Sequence, residues 1–173
     1  MRSRYDLFTD AMITTFGGNE YGALTGGRYA DVLRWLPTMH PYPARASVSE
    51  EEYYAVLNSV THVVYTFNSY NIYRIPPGCF PQEFAYLKAN FTVAIREHDP
   101  ETLGEYMDTL QAFGLTFSDP LIQQGVNYLL SVQNPDGSWG NLQDPDIYNR
   151  YHATWTSLGG LQSFRPRREL PCP

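Results

Sequence analysis

Apolar side chains recur every three or four residues over most of the chain after residue 48, which is the period of an amphipathic α-helix. This period first appears over residues 56–67. Ser49 and the three glutamates that follow it are typical of a helix start, so we expect a helix from there to about Tyr70. Pro76 and Pro77 end this segment, and a second helix is predicted to begin near Pro81.

Three more helices are predicted farther along the chain. Residues 99–101 (Asp-Pro-Glu) combine an N-cap, a proline at the first helical position and an acid in the first turn, and this helix should stop at Gly114. Residues 118–120 open a fourth helix, which the turn at residues 134–137 closes, and a fifth is expected over residues 147–164. No segment alternates as a strand would, so the predicted class is all-α.

The two ends of the chain are less regular. Residues 16–27 read FGGNEYGALTGG, which predicts a long loop, either a plain connector or a lid. Residues 28–37 have a short helical pattern. We therefore divide the chain into an irregular segment with one short helix (1–48), an α/α-repeat helical domain (49–164) and a loose, polar, proline-rich tail (165–173).

Composition narrows the class of protein. A chain of 173 residues that is 43% hydrophobic suits one globular domain, and a net charge of −6 without a Lys/Arg cluster argues against nucleic-acid binding. No segment approaches the roughly 20 apolar residues of a membrane helix, and no apolar run follows the N-terminal charges, so we expect a cytoplasmic protein without a membrane span. Cys79 and Cys172 lack metal-ligand spacing; a disulfide between them is open, but the sequence favours reduced thiols.

The stretch YLLSVQNPDGSWG, residues 128–140, places a glutamine, an Asp-Gly turn and a tryptophan between two predicted helices. This arrangement resembles the repeat signature of squalene–hopene cyclases and protein prenyltransferases, over about residues 100–164. The resemblance implies an α/α toroid of paired helices, of which this chain would build about half, or a helical bundle. It also implies a bracing, non-reactive role for four residues of the turn: Gln133, Asp136, Gly137 and Trp139.

The resemblance does not extend to the catalytic motifs of that family. The acidic motif with which class II cyclases protonate their substrates is absent, as is the zinc pattern of the prenyltransferases. A resemblance in fold alone does not identify the function. The function is therefore inferred from the individual residues.

Two short stretches of the chain resemble each other, THVVYT at residues 61–66 and YHATWT at residues 151–156. Each contains a histidine, then an aromatic residue three positions later, then a threonine. If both helices face one cavity, His62 and His152 meet there, and the predicted helix between them carries Glu105. Two imidazoles and a carboxylate suit Fe(II), or alternatively Zn or Mn, so these three residues are the predicted metal ligands.

Other polar residues are assigned around this site. Tyr65, Tyr151 and Asp108 are the candidate catalytic groups, while Glu83 is a candidate fourth ligand. Glu101 is assigned to the helix start. The competing interpretation is structural, because a single histidine usually makes structural hydrogen bonds and acids spaced along a helix usually face solvent.

Three functions follow from these residues. The first is a small metal-dependent oxidoreductase or hydrolase, with O₂ activation if the metal is iron, acting on a small apolar or aromatic substrate in a cavity lined from the chain's 14 Tyr, 9 Phe and 3 Trp. The second is a metal-free terpene cyclase-like isoprenoid enzyme or carrier. The third is a non-catalytic helical-repeat module, whose open edge a partner or a homodimer would cover.

Overall fold

The computed structural model describes residues 2–173, and within them it contains α-helices and no β-strand, which confirms the all-α class. The helices of this range are α1 (Arg4–Tyr21), α2 (Tyr29–Leu33), α3 (Glu50–Phe67), α4 (Pro81–Arg96), α5 (Pro100–Ala112), α6 (Pro120–Ser131) and α7 (Ile147–Leu161). None of them combines the length and the apolar composition that a membrane crossing requires. The chain forms two compact units that divide between Tyr70 and Asn71. The toroid arrangement stays a prediction.

The five helices predicted after residue 48 are all present, close to their expected limits. Ser49 accepts a hydrogen bond from the backbone N–H of Glu52 at 3.2 Å, and Asp99 accepts one from that of Thr102 at 3.0 Å. These caps satisfy backbone donors that have no partner inside the helix. Both helix starts are therefore encoded locally, which is why the sequence reveals them.

The prediction of an irregular segment over residues 1–48 is wrong, because residues 4–21 form α1. Ser3 and Asp6 build a capping box at its start. Gly17 and Gly18 lie inside this helix, which ends at Gly22 with a left-handed φ of 69°. The predicted glycine-rich lid is thereby reduced to the residues after Tyr21.

The first unit has its core between α1 and α3. Tyr5, Phe8 and Met12 are buried on one side of α1, at spacings of three and four residues. The side of α3 that includes Val56, Val60, Val63 and Val64 is also buried. Because α1 packs on α3, the boundary between the units falls after α3 and not at residue 48 as predicted.

In the second unit, α5 is central and contacts α4, α6 and α7. Leu103, Tyr106, Met107 and Leu110 of α5 are fully buried. A helix that is surrounded in this way has little solvent-facing surface, so its polar side chains also lie at contacts between helices. Acidic side chains of α5, such as Glu101, can therefore contact α7 at the candidate site.

The contact between α5 and α7 is unusually close. A Cβ atom added to Gly104 would lie 2.4 Å from the backbone carbonyl carbon of Thr156, and one added to Gly160 would lie 2.9 Å from the carbonyl oxygen of Gly104. The buried residues of α7 are small: Ala153, Ser157 and Gly160. The two helices can approach because these positions carry little or no side chain.

The tail predicted to be loose, residues 165–173, is instead tied to the residues before α4. Backbone hydrogen bonds of 2.9 Å join Arg167 to Ile72, Arg168 to Arg74, and Leu170 to Arg74. They bring Cys172 beside Cys79, and the two form a disulfide. The expectation of reduced thiols is therefore wrong, and the cytoplasmic location predicted with it stays a prediction.

Candidate functional site

The most exposed apolar surface of the second unit lies on α7. Five large side chains of this helix are between 48% and 69% exposed: Ile147, Tyr148, Tyr151, Trp155 and Leu158. We call these five residues the α7 face. It arises because α7 turns its small residues toward α5, so the large ones remain in solvent. Exposed apolar residues grouped on one helix commonly mark a binding surface.

His152 lies next to this face and is mostly enclosed. Its ring stacks on Tyr148, with the ring centroids 4.6 Å apart and the planes 20° from parallel. It meets Trp155 edge-on at 5.7 Å between centroids. Tyr148 is four residues before His152 and Trp155 three residues after it, so helical geometry alone places the three rings side by side.

Glu101 is the acid that contacts His152. Its Oε1 atom lies 2.8 Å from His152 Nδ1, and the two side chains are 40% and 12% exposed, respectively. The distance is that of a hydrogen bond, but within the described residues Nδ1 has no well-aligned partner. We therefore treat the contact as an ion pair whose hydrogen-bond angle is not ideal.

This ion pair changes the proton affinity of the imidazole. The contact with Glu101 raises the pKa of His152 above its ordinary value of 6.5; partial burial opposes the increase, and the charges of Glu101 and Glu105 add to it. Burial also raises the pKa of Tyr148, with smaller contributions from Glu101, Tyr151 and Glu105. His152 therefore stays protonated to higher pH than a free histidine.

Glu105 lies one helical turn beyond Glu101 on α5 and is only 5% exposed. The sequence analysis predicts it as a metal ligand together with His62 and His152, and that role stays a prediction. The structure brings its charge near the imidazole, as the pKa of His152 indicates, but Glu101 is the acid that the imidazole contacts. The sequence analysis assigns Glu101 to the helix start, and no signal in the sequence shows that this acid, and not Glu105, contacts His152.

The first copy of the repeated pattern, THVVYT at residues 61–66, lies in the first unit, and its histidine has different contacts from those of His152. Because a carbonyl only accepts, His62 Nδ1 is the donor in its 2.8 Å hydrogen bond to the backbone oxygen of Asn58. Tyr65 meets His62 edge-on and stacks on Tyr70, with the ring centroids 5.8 Å apart. Thr66 bonds the hydroxyl of Tyr29 at 3.0 Å, and burial is the main cause that raises the pKa of that tyrosine to about 12.

Two of the three predicted catalytic groups fall in the second unit. Tyr151 belongs to the α7 face and lies 5.3 Å from Tyr148 between ring centroids. Asp108 accepts a hydrogen bond from the side chain of Asn71. Asn71 was missed by sequence reasoning, and its left-handed φ of 72° leaves no distinctive sequence signal.

The turn at residues 133–140 is held together by side-chain hydrogen bonds. The Trp139 indole N–H donates to the backbone oxygen of Leu129 at 2.7 Å, in the interior, and Gln133 donates to that of Gly137 at 2.9 Å. Gly137 has a φ of 89°, and the hydrogen bonds from Ser138 lower the pKa of Asp136. Every polar group named here is engaged within the turn or with the end of α6.

Within residues 2–173, no group of three or more His, Cys, Asp or Glu side chains is placed to hold a metal ion, so the metal-binding prediction gains no support. Neither a family model, nor a curated protein, nor a solved structure matches the chain. The resemblance to squalene–hopene cyclases and prenyltransferases thus stays a prediction. The case for a function depends on the geometry of the α7 face and His152.

Proposed function

We propose that the protein binds a small, largely apolar or aromatic molecule on the α7 face and that His152 exchanges a proton with it. The observation that carries this proposal is a mostly enclosed histidine, paired with Glu101, directly beside the exposed rings of the α7 face. Structural histidines are usually satisfied by a backbone group, as His62 is by Asn58. His152 instead has a carboxylate and two aromatic rings around it.

The chemistry follows from the two ring nitrogens. Nδ1 faces Glu101, which leaves Nε2 to approach a bound molecule, and Glu101 stabilises the imidazolium form. Because the pKa of His152 is raised above its ordinary value, the imidazolium can donate a proton up to a higher pH than an ordinary histidine does. Tyr148 and Trp155 add ring faces that bind apolar groups and stabilise positive charge. These features favour the metal-free alternative of the sequence analysis.

The metal-dependent oxidoreductase or hydrolase remains a separate prediction with its own test. Elemental mass spectrometry of protein purified without a tag would detect Fe, Zn or Mn. A near-stoichiometric metal that is lost in a folded His62→Ala/His152→Ala variant would favour it over the metal-free proposal.

Binding to the α7 face is tested with indole, p-cresol, geraniol and farnesol as probes. We expect at least one of them to raise the melting temperature and to quench tryptophan fluorescence. Trp155→Ala should weaken this binding, whereas Trp35→Ala, which removes an exposed tryptophan of the first unit, should not. If none of the four probes binds, or if Trp155→Ala has no effect, the proposal is wrong.

Proton exchange is tested by incubating the bound probe in D₂O and measuring product formation or deuterium incorporation at carbon by mass spectrometry, because N–H and O–H hydrogens exchange with the solvent unaided. His152→Gln should abolish either change while the probe still binds, because glutamine keeps polarity but does not titrate. Binding without any exchange or turnover in the wild type would contradict the catalytic part of the proposal.

A second candidate function is self-association through the α7 face. Three of the five residues are aromatic, and an aromatic side chain has about 150–250 Å² to bury, so the half-exposed α7 face leaves roughly 500 Å² open. This is over half of the about 800 Å² that each partner buries in a stable interface. Light scattering across a concentration series should then show a dimer that Trp155→Glu dissociates and Leu24→Glu, in the first unit, does not. A monomer at every concentration would exclude this candidate.

A further inference from the structure

A cavity of about 600 Å³ lies in the second unit where the end of α7 meets α5. It is separate from the α7 face. Its wall includes Asp108 of α5, Gly159 near the end of α7, and the residues that follow α7 up to Arg165. A volume of this size is in the range of small-molecule sites.

One wall of the cavity is negatively charged. Asp108 contributes a carboxylate, and the last turn of α7 contributes backbone carbonyl groups with the negative end of the helix dipole. Gly159 places no side chain over this carboxylate, whereas a Cβ atom added there would lie 3.4 Å from Asp108 Oδ2. This wall suits an ammonium group.

Asn71 orients that carboxylate. It donates from Nδ2 to Asp108 Oδ2, and it does so from a left-handed backbone conformation with a φ of 72°. Ser69 and Tyr70 also have positive φ, so three consecutive residues without glycine occupy a costly region. Strain of this kind often accompanies residues that are held in position for binding.

The opposite charge comes from Arg165. Its side chain lines the same cavity, and it forms no ion pair or hydrogen bond with residues 2–173. An unpaired guanidinium offers two parallel donors to a carboxylate. Phe164, next to it in the wall, adds an aromatic surface.

We propose that this cavity binds a free α-amino acid with an aromatic side chain. The ammonium group of the ligand pairs with Asp108, its carboxylate with Arg165, and its ring packs on Phe164. A carboxylate and a guanidinium in the wall of one cavity match the two opposite charges of a zwitterion, whereas a purely cationic or purely anionic molecule matches only one of them. This site shares no residue with the proposed function at His152.

The test uses L-phenylalanine as the probe, with isothermal calorimetry and NMR line shifts on the full chain. We expect saturable binding in the micromolar to low millimolar range. Phenethylamine, which lacks the carboxylate, and 3-phenylpropionate, which lacks the ammonium group, should each bind at least about tenfold more weakly, because each loses a charge-assisted hydrogen bond. Glycine, which lacks the ring, should also bind more weakly.

Two variants probe the two walls without disturbing the helix packing. Gly159→Ala places a methyl group over the Asp108 carboxylate at an ordinary contact distance, and alanine is favourable in a helix, so this variant should fold normally. Arg165→Gln removes the positive charge. Each should weaken binding of L-phenylalanine about tenfold or more, whereas Arg167→Gln, a charge removed from the same tail outside the cavity wall, should leave it unchanged.

Three results would overturn the proposal. The first is that L-phenylalanine does not bind at millimolar concentration. The second is that 3-phenylpropionate or phenethylamine binds as tightly as L-phenylalanine. The third is that both Gly159→Ala and Arg165→Gln bind L-phenylalanine as the wild type does. The proposed function at His152 is unaffected by any of them, because its probes and its variants are different.

Discussion

Replacing Glu101 by glutamine should lower both the proton affinity of His152 and the stability of the protein at mildly acidic pH. The substitution keeps the shape of the side chain and removes the charge that lies 2.8 Å from His152 Nδ1. The pKa of His152 should therefore fall, because partial burial continues to lower it while the main cause that raises it has been removed.

The sign of the pH dependence follows from the direction of this pKa shift. The pKa of His152 in the folded protein is above that of the unfolded chain, which is about 6.5. The ion pair therefore stabilises the fold fully below about pH 6.5, and its contribution disappears as the pH rises through the folded-state pKa. Because the Glu101 side chain is 40% exposed, we expect the ion pair to add only about 0.5–1 kcal/mol to the free energy of unfolding. For a chain of this length, that corresponds to about 1–4 °C in melting temperature.

Thermal unfolding of wild type and Glu101→Gln between pH 5.5 and 8.5 measures this contribution, and NMR titration of the His152 ring measures the pKa directly. The difference in melting temperature should be largest at pH 5.5 and should shrink toward pH 8.5. Glu20→Gln, at an exposed position of α1, removes the same charge and should show no such trend. A difference that is constant across this range, or an unchanged pKa of His152, would refute the reasoning.

Three further predictions concern the fold. Replacing Cys79 and Cys172 by serine opens a link across 93 residues and should cost about 4–5 kcal/mol in the chain-entropy model, measured as a lower urea midpoint. Gly104→Ala should destabilise the protein by about 1–3 kcal/mol or more, because the new methyl group would clash with the backbone of α7. Gly17→Ala, which has no atom within 4 Å of the new methyl group, should be neutral or stabilising in the same assay. Trp139→Phe should lower the free energy of unfolding by about 1–3 kcal/mol, measured by denaturant unfolding, because the backbone oxygen of Leu129 loses the buried indole N–H that donates to it.

Helix starts are predictable here because their determinants are adjacent in sequence. The Asp99–Pro100 start depends only on a cap and a proline within one turn. The start of α1 carries the same kind of signal in Ser3 and Asp6. The sequence analysis nevertheless predicts a loop over residues 16–27, because Gly17 and Gly18 are unfavourable inside a helix.

The order of the tail was beyond sequence reasoning for a different reason. Its backbone pairs with residues 72–74, about a hundred positions away, and no local pattern specifies that pairing. The disulfide follows from it, since Cys172 reaches Cys79 only when the tail takes this course. At the candidate site, the sequence analysis selects His152 and Glu105 as metal ligands, which stays a prediction. Glu101 is the acid that contacts His152, and this depends on the rotation of α5 against α7, which no local pattern specifies.

The α7 helix shows most clearly why periodicity alone misjudges function. A period of three to four predicts a helix correctly, but the usual assumption is that its large apolar residues face the core. In α7 the small residues Ala153, Ser157 and Gly160 are inside because Gly104 permits a close approach, and the aromatic residues remain in solvent. Leaving such surface exposed forgoes about 25 cal/mol for each Å². Binding of a molecule or of a second copy to the α7 face would recover this free energy, so the function should be sought on that face.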